Sequence, residues 1–412
     1  MDRVIVVGAS LAGVTACDAL RRNGFEGELM LIGSETSLPY DRPPLSKALL
    51  AGKQSAADCL LRPTEWYEQM DITMLLGTRA TALDLATRAI ELEGGRRIRF
   101  ERLVIATGAQ PRALPNATVN GVHTLRTLED SCGLMARLGA GVRVAVVGGG
   151  FIGVEVAATA WELGCDVTLI ESLPSPLSRT LGDTIGQLCA GLHREHGVDV
   201  RCNVTVRDVI RNGTVNAIRL DDDSLIPVDL VVVGIGVQPC TSWLETSGLE
   251  LRDGVVCDSY CRTAAPGVVA AGDIARWRHP NLGLVRFEHW ENAILQGEAA
   301  AAAVLSPGAS VEYAPVPYVW SDQYDRRIQV VGHPAPRDEV VIADGEVERG
   351  QFLAFYVRTG RVTAAVAFNR ARLIHAIRPL LSKPLLLNKA LEALGREDES
   401  RPFIAQVTGD SP

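Results

Sequence analysis

Twice along this chain a five-residue run rich in β-branched residues breaks into a glycine-rich turn that opens a helix. That repeat limits the fold more than any other feature. RVIVV at 3–7 leads into GASLAG at 8–13, then helical VTACDALRRNG, then strand-like ELMLIGSE at 28–35. RVAVV at 143–147 leads into GGGFIG at 148–153, then VEVAATAWELG, then DVTLIES at 166–172. Near-continuous apolar strands of this kind belong to parallel sheets covered on both faces, and strand–turn–helix–strand is the βαβ unit. Two dinucleotide-binding folds are therefore expected in one chain.

The remaining pattern places these folds. Short apolar strands recur at 102–107, 229–234 and 268–271, each ending in small residues that let backbone approach a ligand. Prolines in TGAQP and GIGVQP break the chain near 108 and 237, so the second block reads as an insertion in the first. Beyond about residue 310, YAPVPYVWSDQYDRRIQVVG alternates aromatic and polar residues, and EVVIADGE, QFLAFYV and RVTAAVAFN follow, which predicts an antiparallel sheet. ARLIHAIRPLLS and PLLLNKALEALG are expected to cover it as helices, and the last dozen residues to form a mobile tail. The expected class is α/β: one Rossmann-like domain from 1–108 and 238–312, an inserted second from 109–237, and a C-terminal α+β domain from 313–412.

Composition narrows function. Forty-nine acidic against 41 basic residues give a net charge of −8, which disfavours general binding to nucleic acid or anionic membrane. No window reaches the roughly 18 apolar residues of a membrane span. The chain enters its first strand without a cationic leader or cleavage site, so a cytoplasmic location is expected. Nine cysteines, an odd number spread from Cys17 to Cys261, read as reduced thiols, and there is no CxxC. The segment from Gly33 to Lys53, where a glutathione-reductase-like enzyme carries its redox pair, has no cysteine. Cys257 and Cys261 lack neighbouring ligands, and His193 and His196 in LHREHG are expected to be exposed, so no metal site is expected. Neither a GxSxG elbow nor a P-loop is present.

A glycine turn at a helix start offers free backbone N–H groups and the positive helix end to a pyrophosphate. Gly8 makes the first turn and Gly13 permits close helix packing; Ser10 stands where the middle glycine is usual, and Ala12 lies within the turn. Gly148, Gly150, Ile152 and Gly153 form the second turn. Each copy has an acid at the end of its next strand, Glu35 at 22 residues past Gly13 and Glu171 at 18 past Gly153. A carboxylate there accepts ribose hydroxyls and repels a 2′-phosphate; the first base after Glu171 is Arg179, so NADH is favoured over NADPH.

The paired turns, with PYDRPPLSK at 39–47, IATGAQPR at 105–112, LRTLED at 125–130, AAGDIA at 270–275, EHWENA at 288–293 and WSDQY at 320–324, closely resemble the NADH-dependent ferredoxin reductases of oxygenase systems. The resemblance implies a glutathione-reductase-like fold in which the first nucleotide-binding domain takes FAD and the inserted one NADH. It implies FAD contacts at Ala12, Ser34, Glu35, Arg42, Lys47, Ala80, Arg126, Gly272, Asp273 and Trp290. Arg42 and Arg126 suit pyrophosphate charge, Lys47 the flavin N5 and O4, and Asp273 the ribityl hydroxyls. Trp290 opens a helix whose N-terminal dipole would favour negative charge on the flavin. On the NADH side, Glu155, expected in the first turn of its helix, would reach the nicotinamide carboxamide or pair with Lys47, and Gly236 would pass close to the nicotinamide half. Trp320, expected to be exposed, would border the flavin on the side where electrons leave.

NADH delivers two electrons as hydride and an iron–sulfur cluster takes one, so a flavin is the natural converter and no protein thiol is needed. The implied partner is a small acidic [2Fe–2S] ferredoxin serving a cytochrome P450 or a ring-hydroxylating oxygenase. Its docking is expected near Arg62 and the C-terminal domain, with Arg326, Arg327, Arg370 and Arg372 as candidates from charge. Gly297 stands where some members carry a basic residue. Lys47, Glu155 and Trp320 are the expected catalytic set, and a monomer or homodimer is expected. Rival readings are a related reductase with another acceptor, such as rubredoxin, a nitrite-reductase partner or oxygen, and a redox-sensing flavoprotein of the apoptosis-inducing-factor type.

Overall fold

A computed structural model describes residues 2–115, 120–306, 308, 311–396 and 401–402. The chain forms two compact units. The first comprises residues 1–43, 55–110 and 237–315, and the second residues 44–54, 111–236 and 316–412.

The core of the first unit is a five-stranded parallel sheet in the order Val268–Ala270, Arg102–Ile105, Arg3–Val7, Glu28–Ile32, Ile72–Leu75. Four consecutive residues of the central strand, Val4 to Val7, are buried, as a sheet covered on both faces requires. The helix Leu11–Arg22 buries Val14, Ala16, Cys17, Ala19 and Leu20 on one stripe. The helix Trp290–Leu305 lies against it so closely that a Cβ on Gly297 would stand 2.7 Å from the Ala12 carbonyl oxygen. Gly297 is therefore a helix-packing residue, and the chain has no room there for a long side chain. Two three-stranded sheets, Ala80–Asp84 with Ala89–Leu92 and Arg97–Arg99, and Val255–Cys257 with Ala275–His279 and Gly283–Val285, complete the unit.

The second unit repeats the arrangement. Its parallel sheet runs Asp199–Cys202, Asp166–Glu171, Arg143–Val147, Leu230–Val233, Val122–Thr124, with the helix Phe151–Glu162 following the central strand. In both sheets the neighbouring strand is shorter than its apolar run suggests, ending at Ile105 and at Val233. The cause is the same in both. The next carbonyls, of Ala106 and Gly234, press against the glycine turns: a Cβ on Gly8 would lie 2.0 Å from Ala106 O, and one on Gly148 2.4 Å from Gly234 O.

The predicted C-terminal antiparallel sheet is present, in the order Tyr318–Gln323, Arg326–Gly332, Arg361–Phe368, Gln351–Arg358, Glu339–Glu346, with a two-residue edge strand Arg401–Pro402. The helices Ala371–Ile377 and Leu387–Ala393 cover it, burying Ile374, Ile377, Ala390 and Leu391 against Leu353, Phe355, Ala365 and Ala367. Of the expected C-terminal tail, Arg401 and Pro402 thus belong to the sheet, and residues 403–412 lie outside the described residues. Among the described residues no helix is long and apolar enough to cross a membrane.

Candidate dinucleotide sites

In the first unit Gly8 adopts φ +120°, open to few residues but glycine, and a Cβ on Gly13 would stand 1.9 Å from Gly8 O. Ser10 is the N-cap of the following helix in extended conformation; its hydroxyl caps no backbone N–H, and the first turn carries no acid. The helix thus starts with uncapped N–H groups and an unopposed positive end, which fits a pyrophosphate. Ser in place of the middle glycine leaves that geometry intact.

Glu35 lies three residues past its strand, half-buried, with Ser34 exposed beside it. Its Oε1 accepts from Arg42 Nη2 at 2.8 Å, and the Tyr40 hydroxyl donates to Oε2. Burial works against the Arg42 charge, but Tyr40, Glu35 and Asp273 outweigh it and raise the guanidinium's pKa. Arg42 is therefore a fixed cation, and Asp273 lies within its field. Gly272 has φ +76°, and its N–H donates to the buried Gln296 Oε1 at 2.9 Å. Trp290 is the first residue of its helix, 36% exposed, and donates from its indole to Asp41 at 2.6 Å. Ala80 begins its strand, half-buried. Arg42, Glu35 and Asp273 are thus brought together, with Tyr40 as a partner that sequence reasoning did not single out.

In the second unit Gly148 has φ +103°, and a Cβ on Gly153 would stand 1.9 Å from Gly148 O. Gly150 faces open space, its nearest neighbour 3.9 Å from a built Cβ, and Ile152 is 36% exposed. Here too the helix N-terminus has no side-chain cap and no first-turn acid. Glu171 is more enclosed than a strand-end charge awaiting a ribose. It is 8% exposed; its Oε2 accepts Gly149 N–H at 2.6 Å and its Oε1 accepts Leu173 N–H at 2.8 Å and Ser172 Oγ–H at 3.1 Å. With about two lone pairs per oxygen, one site on Oε2 is left for a hydroxyl. Gly236 has φ +95° and its carbonyl accepts from Arg112 N–H at 2.9 Å.

Glu155 is the fifth residue of the helix Phe151–Glu162, so it sits past the first turn where it was expected, and it is 4% exposed. Three donors meet its carboxylate: Lys47 Nζ at 2.6 Å and Ser46 Oγ at 2.5 Å on Oε2, and Ser321 Oγ at 2.8 Å on Oε1. The expected Lys47 partnership is present. Ser46 and Ser321 were missed, although each is the neighbour of a residue already singled out. Trp320, next to Ser321, is half-buried rather than exposed, stacked on Tyr318 at 6.0 Å with the Arg327 guanidinium 5.7 Å from its ring. Arg126 is half-buried just before a helix whose capping box is made by Thr127 and Asp130, and its backbone N–H donates to Asp130.

His193, expected to be exposed, is fully buried: its Nδ1 meets the Tyr324 hydroxyl at 2.8 Å, and His196 stacks on the Tyr324 ring at 3.7 Å. Tyr324 and Trp161 supply an aromatic wall that the helix pattern alone did not reveal. The nine cysteines are all free thiols. Burial pushes Cys257 and Cys189 up to about 12, and Cys261 well above the usual thiol range, so these three stay protonated and unreactive. Arg62 is exposed over the Trp66 ring at 5.4 Å, and Arg327 and Arg372 are exposed; Arg326 pairs with Asp325, and Arg370 lies 3.7 Å from Asp344.

Two glycine cradles of matching geometry, each opening a helix with uncapped N–H groups, mark the class of chains built on a pair of dinucleotide-binding folds. The chain belongs to the pyridine nucleotide-disulphide oxidoreductase family, which it matches over residues 2–297, and residues 318–393 match the reductase C-terminal domain. It is 40% identical over 347 residues to the ferredoxin–NAD(+) reductase component of the p-cumate 2,3-dioxygenase system of Pseudomonas putida, covering 84% of each chain. It superposes on the reductase in the covalent putidaredoxin reductase–putidaredoxin complex with a TM-score of 0.88 at 35% identity, covering 92% of this chain and 93% of that one. The ferredoxin reductase of the CYP199A2 system of Rhodopseudomonas palustris gives a TM-score of 0.90 at 33% identity, covering 96% and 100%.

Proposed function

We propose that this chain is an FAD-dependent NADH:ferredoxin reductase whose electrons serve a cytochrome P450 or ring-hydroxylating oxygenase through a [2Fe–2S] ferredoxin. The observation that carries the reading is the duplicated glycine cradle, in which any side chain on Gly8, Gly13, Gly148 or Gly153 would collide with backbone, together with the absence of a disulfide among free and mostly buried thiols. Bound FAD supplies what no side chain here can, acceptance of a hydride and release of electrons one at a time.

The first unit would hold FAD, with uncapped N–H groups at Ser10–Gly13 and Arg42 on its pyrophosphate, Glu35 on ribose hydroxyls and Asp273 on the ribityl chain. The block at 109–237 would hold NADH, with the Gly148–Gly153 turn on pyrophosphate and the open site of Glu171 on ribose. Glu155 has one unused lone-pair position on Oε1, suited to a carboxamide N–H. No side chain gives or takes a proton in hydride transfer; the protein orients the reactants and supplies fixed charge. An acidic ferredoxin would find exposed cations at Arg62, Arg327 and Arg372, the last two within the C-terminal domain from 313 onward; reduced thiols fit a cytoplasmic site of action.

The test is reduction of the purified FAD-loaded protein by NADH, then reoxidation by an added [2Fe–2S] ferredoxin. Fast reoxidation by ferredoxin and slow reoxidation by air support the reading. Fast reoxidation by air alone assigns oxygen as acceptor, and slow reoxidation by both points to a redox-sensing role.

A further inference from the structure

The Glu155 carboxylate stands at the end of a buried line of polar side chains. Ser321 Oγ has a single proton, and a carboxylate can only accept, so that proton lies on the bond to Glu155 Oε1. Gln323 is fully buried, and at 3.2 Å from Ser321 Oγ it must then present its NH2, which fixes which way the amide faces. The oxygen of that amide and Nε2 of His193 are both buried without a hydrogen-bond partner among the described residues. Tyr324, whose phenol burial holds well above its usual pKa, closes the line on His193 Nδ1. The Gln323 and Ser321 donors therefore both point toward Glu155.

We propose that Ser321, oriented by Gln323, is a positioning residue for the coenzyme: it fixes the rotation of the Glu155 carboxylate so that its remaining lone pair meets the nicotinamide carboxamide. Lys47 and Ser46 both bond Oε2, and neither prevents the carboxylate from tilting at Oε1. Among the described residues only Ser321 donates to that oxygen. The strand Tyr318–Gln323 thereby gives the C-terminal segment a direct part in coenzyme binding. This inference rests on the NADH reading of the Gly148–Gly153 block.

Ser321→Ala and Ser321→Thr are compared with Glu155→Gln and Gly153→Ala in the FAD-loaded protein. NAD+ affinity is read by calorimetry, alongside the Michaelis constant for NADH and the turnover number. Ser321→Ala is expected to weaken NAD+ and raise the NADH Michaelis constant about fivefold, the worth of one hydrogen bond, while turnover at saturation changes less than twofold. Threonine keeps the hydroxyl and restores both within about twofold. Loss of affinity in Glu155→Gln and Gly153→Ala with none in Ser321→Ala overturns the positioning role and leaves the NADH site standing. Unchanged affinity in all of them overturns both. A Ser321→Ala effect that threonine does not rescue assigns a packing role and also overturns the proposal.

Discussion

Replacing Lys47 with methionine probes an enclosed ion pair within the second unit. The Lys47 side chain keeps 19% of its exposure and that of Glu155 5%, so removing the ammonium leaves a carboxylate that water barely reaches. Breaking a buried pair by deleting one partner costs about 3–5 kcal/mol. The hydroxyls of Ser46 and Ser321 stay on the carboxylate and offset part of this, which places Lys47→Met near 3 kcal/mol of destabilisation, about the low end of that range. The second unit has about 230 residues, and at about 2.1 cal/mol/K per residue of unfolding entropy its melting temperature should fall by about 6 °C. Glu155→Gln removes the charge that Lys47 compensates, so adding it to Lys47→Met should recover about 2 kcal/mol, a coupling visible in a double-mutant cycle. Differential scanning calorimetry of the four proteins reads this directly. A Lys47→Met protein that melts within about 1 °C of wild type, or strictly additive single effects, would refute the claim that the pair is desolvated and mutually dependent.

Other perturbations separate the two units. Gly13→Ala should abolish FAD retention, read from the absorbance of the purified protein, whereas Gly153→Ala should keep FAD and lose reduction by NADH, because each Cβ would meet backbone 1.9 Å away in its own cradle. His193 is held to about 4 by burial, below its ordinary 6.5. The unfolded chain therefore takes up a proton at this site as pH falls below 6.5 while the folded chain does not, so stability is full above 6.5 and drops through the window from 6.5 to about 4. His193→Gln should remove about 2 kcal/mol of the stability difference between pH 7 and pH 5, read by urea titration at both. Coupled ferredoxin reduction should slow steeply between about 50 and 500 mM salt and more gently in Arg62→Glu, read as kcat/KM for ferredoxin; insensitivity to salt would count against cationic docking.

The sequence was most legible where local covalent geometry decides. Gly8, Gly13, Gly148 and Gly153 could be assigned from spacing because only glycine tolerates their φ values or their approach to backbone, and the strands at Arg3–Val7 and Arg143–Val147 ran as their apolar patterns predicted. Legibility failed where partners come from far along the chain. Ser321 reaches Glu155 across 166 positions, and nothing in WSDQ announces the contact. LHREHG looks solvated because a helix pattern cannot show that Tyr324, in a left-handed turn 131 residues away, roofs the imidazole of His193. Glu171 was placed at the correct strand end, but its bond to Gly149 N–H arises from the tightness of the turn and ties the carboxylate to its own cradle. Gly297 was read through the likeness to relatives as a missing surface charge; its meaning is the close approach of two helices.

The most direct measurement is an anaerobic titration of the purified FAD-loaded protein, followed by its visible absorbance. One equivalent of NADH should bleach the yellow absorbance, NADPH should not at the same concentration, and two equivalents of oxidised [2Fe–2S] ferredoxin per flavin should restore it. A protein that binds no flavin, or one bleached by NADH whose colour an excess of such ferredoxin fails to return, would contradict the account.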